Sequence, residues 1–345
     1  MKIKAIDLFC GAGGLTHGLK AAGIEVIAGY DIEESCRYAY EFNNKSIFFN
    51  RDITSLDGSE LTKLYSDSDI KILAGCAPCQ PFSTYSRTKN NQKDAKWSLL
   101  YSFSRLINQC QPDIVTMENV PGLINQKVFL DFINELKKQN YFIDYKIIYC
   151  PDYGMPQTRK RLVLLASKIK PIFLLDATHN KSNYLTVRDA IGKLPMIEAG
   201  DRDPNDALHR SSTLSPLNME RIKASKPGGD WKDWPINLRA NCHLKETGKY
   251  FRSVYGRMLW NEPSPTITTQ CYGFGNGRFG HPDQNRAISL REAALLQTFP
   301  KNYRFHKKNE NLDIASLAKM IGNAVPVKLG EVVGKSIIAH IKKSL

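Results

Sequence analysis

KIKAIDLFCGAGGLTHGLKA, residues 2–21, runs from an apolar, β-branched stretch through a cluster of glycines into apolar residues at helical spacing. This reads as a strand, a tight turn and a helix starting near Leu15. Gly11-Ala12-Gly13-Gly14 lets the backbone come close to a ligand just before the helix begins. Thr16 stands where the third glycine of a G-x-G-x-x-G dinucleotide fingerprint would be, which disfavours a pyrophosphate-bearing ligand. The same rhythm continues to about Ser167. Further strand-like segments are IEVIAGYD, SIFFNRDI, IKILAG, PDIVTMEN, YFIDYKIIYC and RLVLLAS, and Val128 to Gln139 has helical spacing. Alternation of this kind predicts an α/β fold with a mainly parallel sheet covered on both faces. Ligands then belong beyond the carboxyl ends of the strands. Reading just past each strand gives FCGAGG, Asp31, Asp52 with Ile53, CAPCQ, and Glu118 with Asn119, so the chemically suggestive groups fall on one edge.

Asp31 follows the glycine turn by about twenty residues and ends the second strand, where a carboxylate can accept hydrogen bonds from ribose hydroxyls. The pair favours an adenosine-containing ligand. Composition adds a second partner. The chain has 345 residues, 42% of them apolar, enough for one sizeable core and a smaller module, and a formal charge of +14. Clustered Lys and Arg gain affinity for polyanions by releasing counterions, which points to nucleic acid. No apolar run approaches a membrane span, the N-terminus lacks a secretory h-region, and eight scattered cysteines do not form a dense disulfide framework. A cytoplasmic protein with reduced thiols is expected.

Cys76-Ala-Pro-Cys79 admits three readings. A structural zinc site needs a second close Cys or His pair, which the chain lacks, so no metal is expected. A C-x-x-C beside an α/β pattern can be a redox pair. Such pairs normally open a helix, whereas Pro78 and Pro81 bracket Cys79 and hold a loop. The third reading, a nucleophile on a rigid loop, also gives the glycine turn and Asp31 a task.

The motifs resemble those of the DNA (cytosine-5) methyltransferases, of the compact bacterial restriction-modification type. In order they are DLFCGAGGLTHGL (Asp7–Leu19), Asp31, Asp52-Ile53, PCQPFS (Pro78–Ser83), ENV (Glu118–Val120), QTRKR (Gln157–Arg161), PSPTIT (Pro263–Thr268) and GNAVP (Gly322–Pro326). The resemblance implies a Rossmann-like S-adenosylmethionine-dependent methyltransferase fold with a second, smaller target-recognition domain. It divides the chain into 1–173, the catalytic and cofactor-binding domain, 174–315, the recognition domain, and 316–345, a segment that returns to the first.

Chemistry explains these residue types. Cytosine carbon 5 is too weak a nucleophile to take a methyl group from a sulfonium until a nucleophile adds at carbon 6, and a thiolate is soft enough to add and leave again. The resemblance makes Cys79 that nucleophile and Glu118 the acid that serves ring nitrogen 3. Arg159 and Arg161 would hold the base and Glu118, and their alternation puts both on one face of a strand entry. S-adenosylmethionine would be lined by Phe9, Gly11, Gly13, Leu15, Asp31, Ile32, Asp52, Ile53, Pro78 and Asn323, although Phe9 and Ile53 read equally well as core. The target cytosine must leave the stack to be reached, so base flipping in double-stranded DNA is implied.

From about Leu174 to Ala315 the strand–helix rhythm stops, and turn-rich aromatic stretches such as KPGGDWKDWP take over. Arg239, Arg257 and Arg278, with Gln80, Ser83 and Thr266 near the motifs, are assigned to DNA contacts. A monomer and a cognate restriction endonuclease acting on the same site are expected. The nearest enzymatic rival is a related transfer-RNA methyltransferase, whose CFT motif this chain lacks. A catalytically silent nucleic-acid-binding protein and a thiol–disulfide oxidoreductase are the rivals from other classes.

Overall fold

The computed structural model describes residues 1–78, 93–250, 252–307 and 313–343, the side chains of 93–97, 247 and 249 excepted. Its centre is a seven-stranded sheet built from β1 (Ile3–Leu8), β2 (Glu25–Asp31), β3 (Ile47–Asn50), β4 (Ile70–Gly75), β5 (Ile114–Asn119), β6 (Phe142–Tyr149) and β7 (Lys160–Ser167). The spatial order is β3-β2-β1-β4-β5-β7-β6. The pairs joining β1 to β5 are parallel. β7 runs antiparallel between β5 and β6, because β6 and β7 are linked by a short turn rather than a crossover helix. The sheet is therefore mainly parallel, as the strand–helix alternation predicts. Its order reverses between β1 and β4, which opens the crevice at their carboxyl ends.

Period-two alternation assigns each strand's residues to two cores. Ile6 and Leu8 of β1, Leu73 of β4, Val115 and Met117 of β5 and Leu162 and Leu164 of β7 pack in one cluster with Phe103, Phe129 and Phe132. Those phenylalanines come from α4 (Lys93–Cys110) and α5 (Lys127–Lys138). Ala5, Val26, Ile72, Val163 and Leu165 face the other way, against Leu15 and Leu19 of α1 (Gly14–Ala21) and Leu329, Val333 and Ile337 of α10 (Val327–Lys342). A Cβ on Gly18 would come within 2.3 Å of the Val327 carbonyl oxygen, so this glycine is what lets the backbones of α1 and α10 touch. The last helix thus lies on the first.

The remaining helices are α2 (Arg37–Asn44), α3 (Gly58–Leu64), α6 (Val187–Ile191), α7 (Pro216–Ala224), α8 (Leu290–Leu296) and α9 (Ile314–Asn323). Ile222, Trp231, Trp234, Leu238, Phe274 and Ala287 form a separate small core. Ala293, Phe299 and Tyr303, by contrast, pack with Ala39 and Tyr40 of α2. Among the described residues, the stretch between β7 and α8 holds only isolated bridges and short helices. No helix there is long and apolar enough to cross a membrane.

Candidate active site

The first turn is held open by left-handed backbone at Phe9 (φ 60°), Gly11 (φ 49°) and Gly13 (φ 87°). At Gly11 a Cβ would meet nothing within 4 Å, so the turn faces free space. At Gly13 it would run into Asn44 of α2, at 2.4 Å. Asp31 closes the turn from β2, its two carboxylate oxygens accepting the N–H groups of Gly11 at 2.8 Å and Glu33 at 2.9 Å. Burial pushes its carboxyl up from the ordinary value, against the pull of those two bonds. Ile32, next to it, is 66% exposed, an apolar side chain offered to the cleft. Asp52 accepts from the Thr54 N–H, which lowers its carboxyl, and Ile53 is buried beneath it. Arg105 of α4 donates to the carbonyls of Ile53, Thr54 and Leu56 and so fixes this loop from outside.

Asp7 ends the buried face of β1. Thr16 Oγ1 donates to one of its oxygens at 2.7 Å, while the other, also buried, has no hydrogen-bond partner among the described residues. Burial raises its carboxyl to about 7. An acceptor left open at the strand end, free space over Gly11, the Asp31 carboxylate and the exposed Ile32 together suit a ligand with ribose hydroxyls, an apolar ring and a cationic group. S-adenosylmethionine has all three. Leu15 lies buried behind the turn, and Pro78 and Asn323 are exposed at its rim.

On the other side of the crevice, Glu118 ends β5. Arg161 Nε lies 2.6 Å from Glu118 Oε1, and both side chains are largely shielded from solvent. Among the described residues no hydrogen bond reaches that oxygen, and the contact with Arg161 is one of charge. Asn119 Nδ2 donates to the Ala77 carbonyl at 3.0 Å, tying the strand end to the loop that leads into Cys79. Cys76, on that loop, has its thiol pushed well up by burial and then by Glu118. Cys79, Gln80 and Ser83 lie outside the described residues. Among the described residues, no group of three or more His, Cys, Asp or Glu is arranged to hold a metal ion, and the seven described cysteines are free.

Arg159 takes a different course from Arg161. It is buried, donating to the carbonyls of Ile267 at 3.0 Å and Gly322 at 3.4 Å, with its Nε unpartnered. Burial, followed by the charge of Arg161, lowers its guanidinium to about 9. It therefore joins the PSPTIT and GNAVP segments, and only Arg161 touches Glu118.

Residues 3–339 match the family model for C-5 cytosine-specific DNA methylase. The chain belongs to that family. This methylase is 52% identical over 335 residues to the type II methylase M.HgiDII of Herpetosiphon aurantiacus, covering 96% of this chain and 94% of the relative. It is 34% identical to the type II methyltransferase M1.BsuMI of Bacillus subtilis, covering 95% of this chain and 78% of the relative. In fold it resembles a prophage-encoded Escherichia coli protein assigned as a DNA modification methyltransferase, with a TM-score of 0.76 at 23% identity over 99% of this chain and 100% of that one. The protein is a DNA cytosine-5 methyltransferase.

The methylase's expected DNA contacts do not all face solvent. Arg257 is a correction. It is 4% exposed and donates to the carbonyls of Ile222 (at 3.2 and 2.8 Å), His281 (2.8 Å) and Gln284 (2.7 Å) and to the Asn285 side-chain oxygen. A guanidinium has five N–H donors, and all five are spent on loops that have no strand ladder to satisfy their carbonyls. Arg278 is half-buried and donates to the Gly229 and Arg257 carbonyls. Arg239, also half-buried, donates to the Lys232 and Trp234 carbonyls and lies over the Trp231 ring. Thr266 reaches the Thr158 carbonyl at 3.5 Å. Sequence reasoning passed over Asp7 as an individual residue, and Arg105 and Gln297 altogether. A glutamine inside the apolar run AALLQTFP was the one available signal for the last.

Proposed function

We propose that this methyltransferase uses S-adenosylmethionine and a covalent Cys79 adduct to methylate carbon 5 of a cytosine flipped out of a specific double-stranded DNA sequence. It would act as a monomer in the cytoplasm, protecting host DNA from a restriction endonuclease of the same specificity. What carries this reading is the 2.6 Å Arg161–Glu118 contact, held by the Asn119–Ala77 bond beside the loop that enters Cys79. The modification role is supported by the 52% identity to a relative named as a type II methylase.

Phe9, Gly11, Gly13, Leu15, Asp31, Ile32, Asp52, Ile53, Pro78 and Asn323 would hold the donor. S-adenosylmethionine supplies the methyl group, an electrophile that carbon 5 can accept once carbon 6 is bonded to sulfur. Cys79 forms that bond as its thiolate, while Glu118 in its protonated form gives a proton to ring nitrogen 3, so the ring carries no excess negative charge. Arg161 holds the Glu118 carboxyl toward the base. After methylation a solvent base removes the carbon-5 proton, the sulfur–carbon bond breaks, and the nitrogen-3 proton returns to Glu118. Gln80, Ser83, Thr266, Arg239 and Arg278 are proposed to contact the opened duplex.

Bisulfite sequencing of plasmid DNA from cells expressing the chain tests the reaction and reads its target. A single protected sequence context is expected, and fully converted DNA would overturn the reading. A duplex carrying 5-fluorocytosine at that target tests the adduct. Fluorine cannot leave as a cation, so the enzyme should remain bonded to DNA through denaturing electrophoresis, and absence of the slow band would remove the covalent step.

A further inference from the structure

Gln297 is completely buried at the carboxyl end of α8 and belongs to neither the cofactor-binding nor the base-binding set. Its Nε2 donates to the Ile321 carbonyl at 2.8 Å, with the carbonyls of Ala324 at 3.3 Å and Gly322 at 3.5 Å. These three oxygens bracket Asn323. Since Nε2 faces acceptors only, Oε1 must face a donor, and it accepts from Gln157 Nε2 at 2.6 Å. Gln157 Oε1 in turn accepts the N–H of Ile267 at 3.3 Å, and the carbonyl of Ile267 accepts from Arg159. The other arm of Arg159 returns to Gly322. Arg159, Ile267, Gln157, Gln297 and Gly322 thus form a closed hydrogen-bonded ring, with Gln157 and Gln297 fully buried and Arg159 4% exposed.

We propose that Gln297 is a positioning residue that fixes Arg159, on the base side of the crevice, relative to Asn323, on the cofactor side. The inference rests on the assignment of those two residues above. Methyl transfer needs cytosine and donor at a set separation, and misplacement of about 1 Å costs roughly 100-fold in rate. Arg159 ties Gly322 to Ile267, and Gln297 ties the same α9 terminus to Gln157, which closes the ring. Without its amide, the α9 carbonyls lose a donor and Gln157 Nε2 keeps only the Leu296 carbonyl, at 3.0 Å, so the ring opens and the two halves can drift.

Two variants of the full chain separate positioning from simple support of the fold. Gln297→Met keeps the length and removes both the donated and the accepted bonds. Below its unfolding temperature it should transfer methyl about 10- to 100-fold more slowly in a single turnover, bind S-adenosylmethionine more weakly by calorimetry, and bind target DNA as the native chain does. Gln297→Glu can make both bonds only while protonated, so its rate relative to the native chain should fall as pH rises from about 6 to about 9, while the Met ratio stays flat. Native rate and cofactor affinity in a folded Met variant would overturn the inference, as would a flat ratio for the Glu variant. Should the Met variant not fold, the Glu ratio decides. If the native chain itself transferred no methyl group, the proposed function would fail first, which is a distinct result.

Discussion

Arg161 and Glu118 meet where β5 ends beside the start of β7, Nε 2.6 Å from Oε1, in a place where each side chain keeps little more than a tenth of its surface. The antiparallel β7 makes this possible. A strand running the usual way would bring its amino end, and with it QTRKR, to the opposite edge of the sheet. We therefore expect Glu118→Gln, which keeps shape and loses the acid, to slow single-turnover methylation by about 10²–10⁴-fold. Arg161→Ala should lose rate as well, because nothing then holds the Glu118 carboxyl toward the base. Native rates in Glu118→Gln would remove Glu118 from the chemistry.

Cys76 and Cys79 should behave differently. Burial and the Glu118 charge keep Cys76 a thiol, so it is a poor nucleophile and a poor redox partner. Cys79→Ser is expected to abolish transfer and the 5-fluorocytosine adduct, whereas Cys76→Ser should retain activity. Equal loss in the two variants would favour a redox pair.

Asp31→Ala should weaken S-adenosylmethionine binding by about 1.5–3 kcal/mol, the worth of a charge-assisted hydrogen bond to a ribose hydroxyl. The carboxylate also holds the Gly11 N–H, so part of the loss would come through the turn. Unchanged calorimetric affinity would place the ribose elsewhere.

The parts of the molecule that were legible from sequence follow from local physics. Runs of apolar, β-branched residues marked β1 to β7 to within a few positions, and the runs are densest in the central strands, which bury both faces. The glycine turn was legible because left-handed backbone favours glycine. The orientation of β7 is a matter of pairing, which no single strand encodes. The burial of Arg257 was not legible because exposure cannot be read from a charge; its guanidinium satisfies loop carbonyls. The Gln157–Gln297 ring left no periodicity, since amide-to-backbone bonds join segments some 140 positions apart.

Asp7 gives a pH signature. Its folded carboxyl sits at about 7 against an ordinary 3.8, raised chiefly by burial. The native state holds this proton more tightly than the unfolded chain does, so the stabilising contribution is complete below about pH 4 and is lost as pH rises to about 7. At about 1.4 kcal/mol per unit, the loss is on the order of 4 kcal/mol. Asp7→Asn should therefore flatten the decline in the urea midpoint between about pH 4 and pH 7. An unchanged decline would assign it to other groups.

The proposed recognition module can be tested by exchange, and the packing says where to cut. Ile222, Trp231, Trp234, Leu238, Phe274 and Ala287 close a core of their own, whereas Ala293, Phe299 and Tyr303 pack against α2 and Gln297 holds the α9 terminus. A graft of residues 214–287 from a methyltransferase of different specificity exchanges the small core whole, and base-edge contacts worth about 1–3 kcal/mol each are enough to redefine a site. It should move the methylated sequence and keep the native single-turnover rate. A graft of 174–315 removes Gln297 and the α2 contacts as well, and should move the site at a reduced rate. Bisulfite sequencing reads the first property and single-turnover assays the second. A folded, active 214–287 chimera that still methylates the original sequence would put recognition on the sheet-bearing part of the chain.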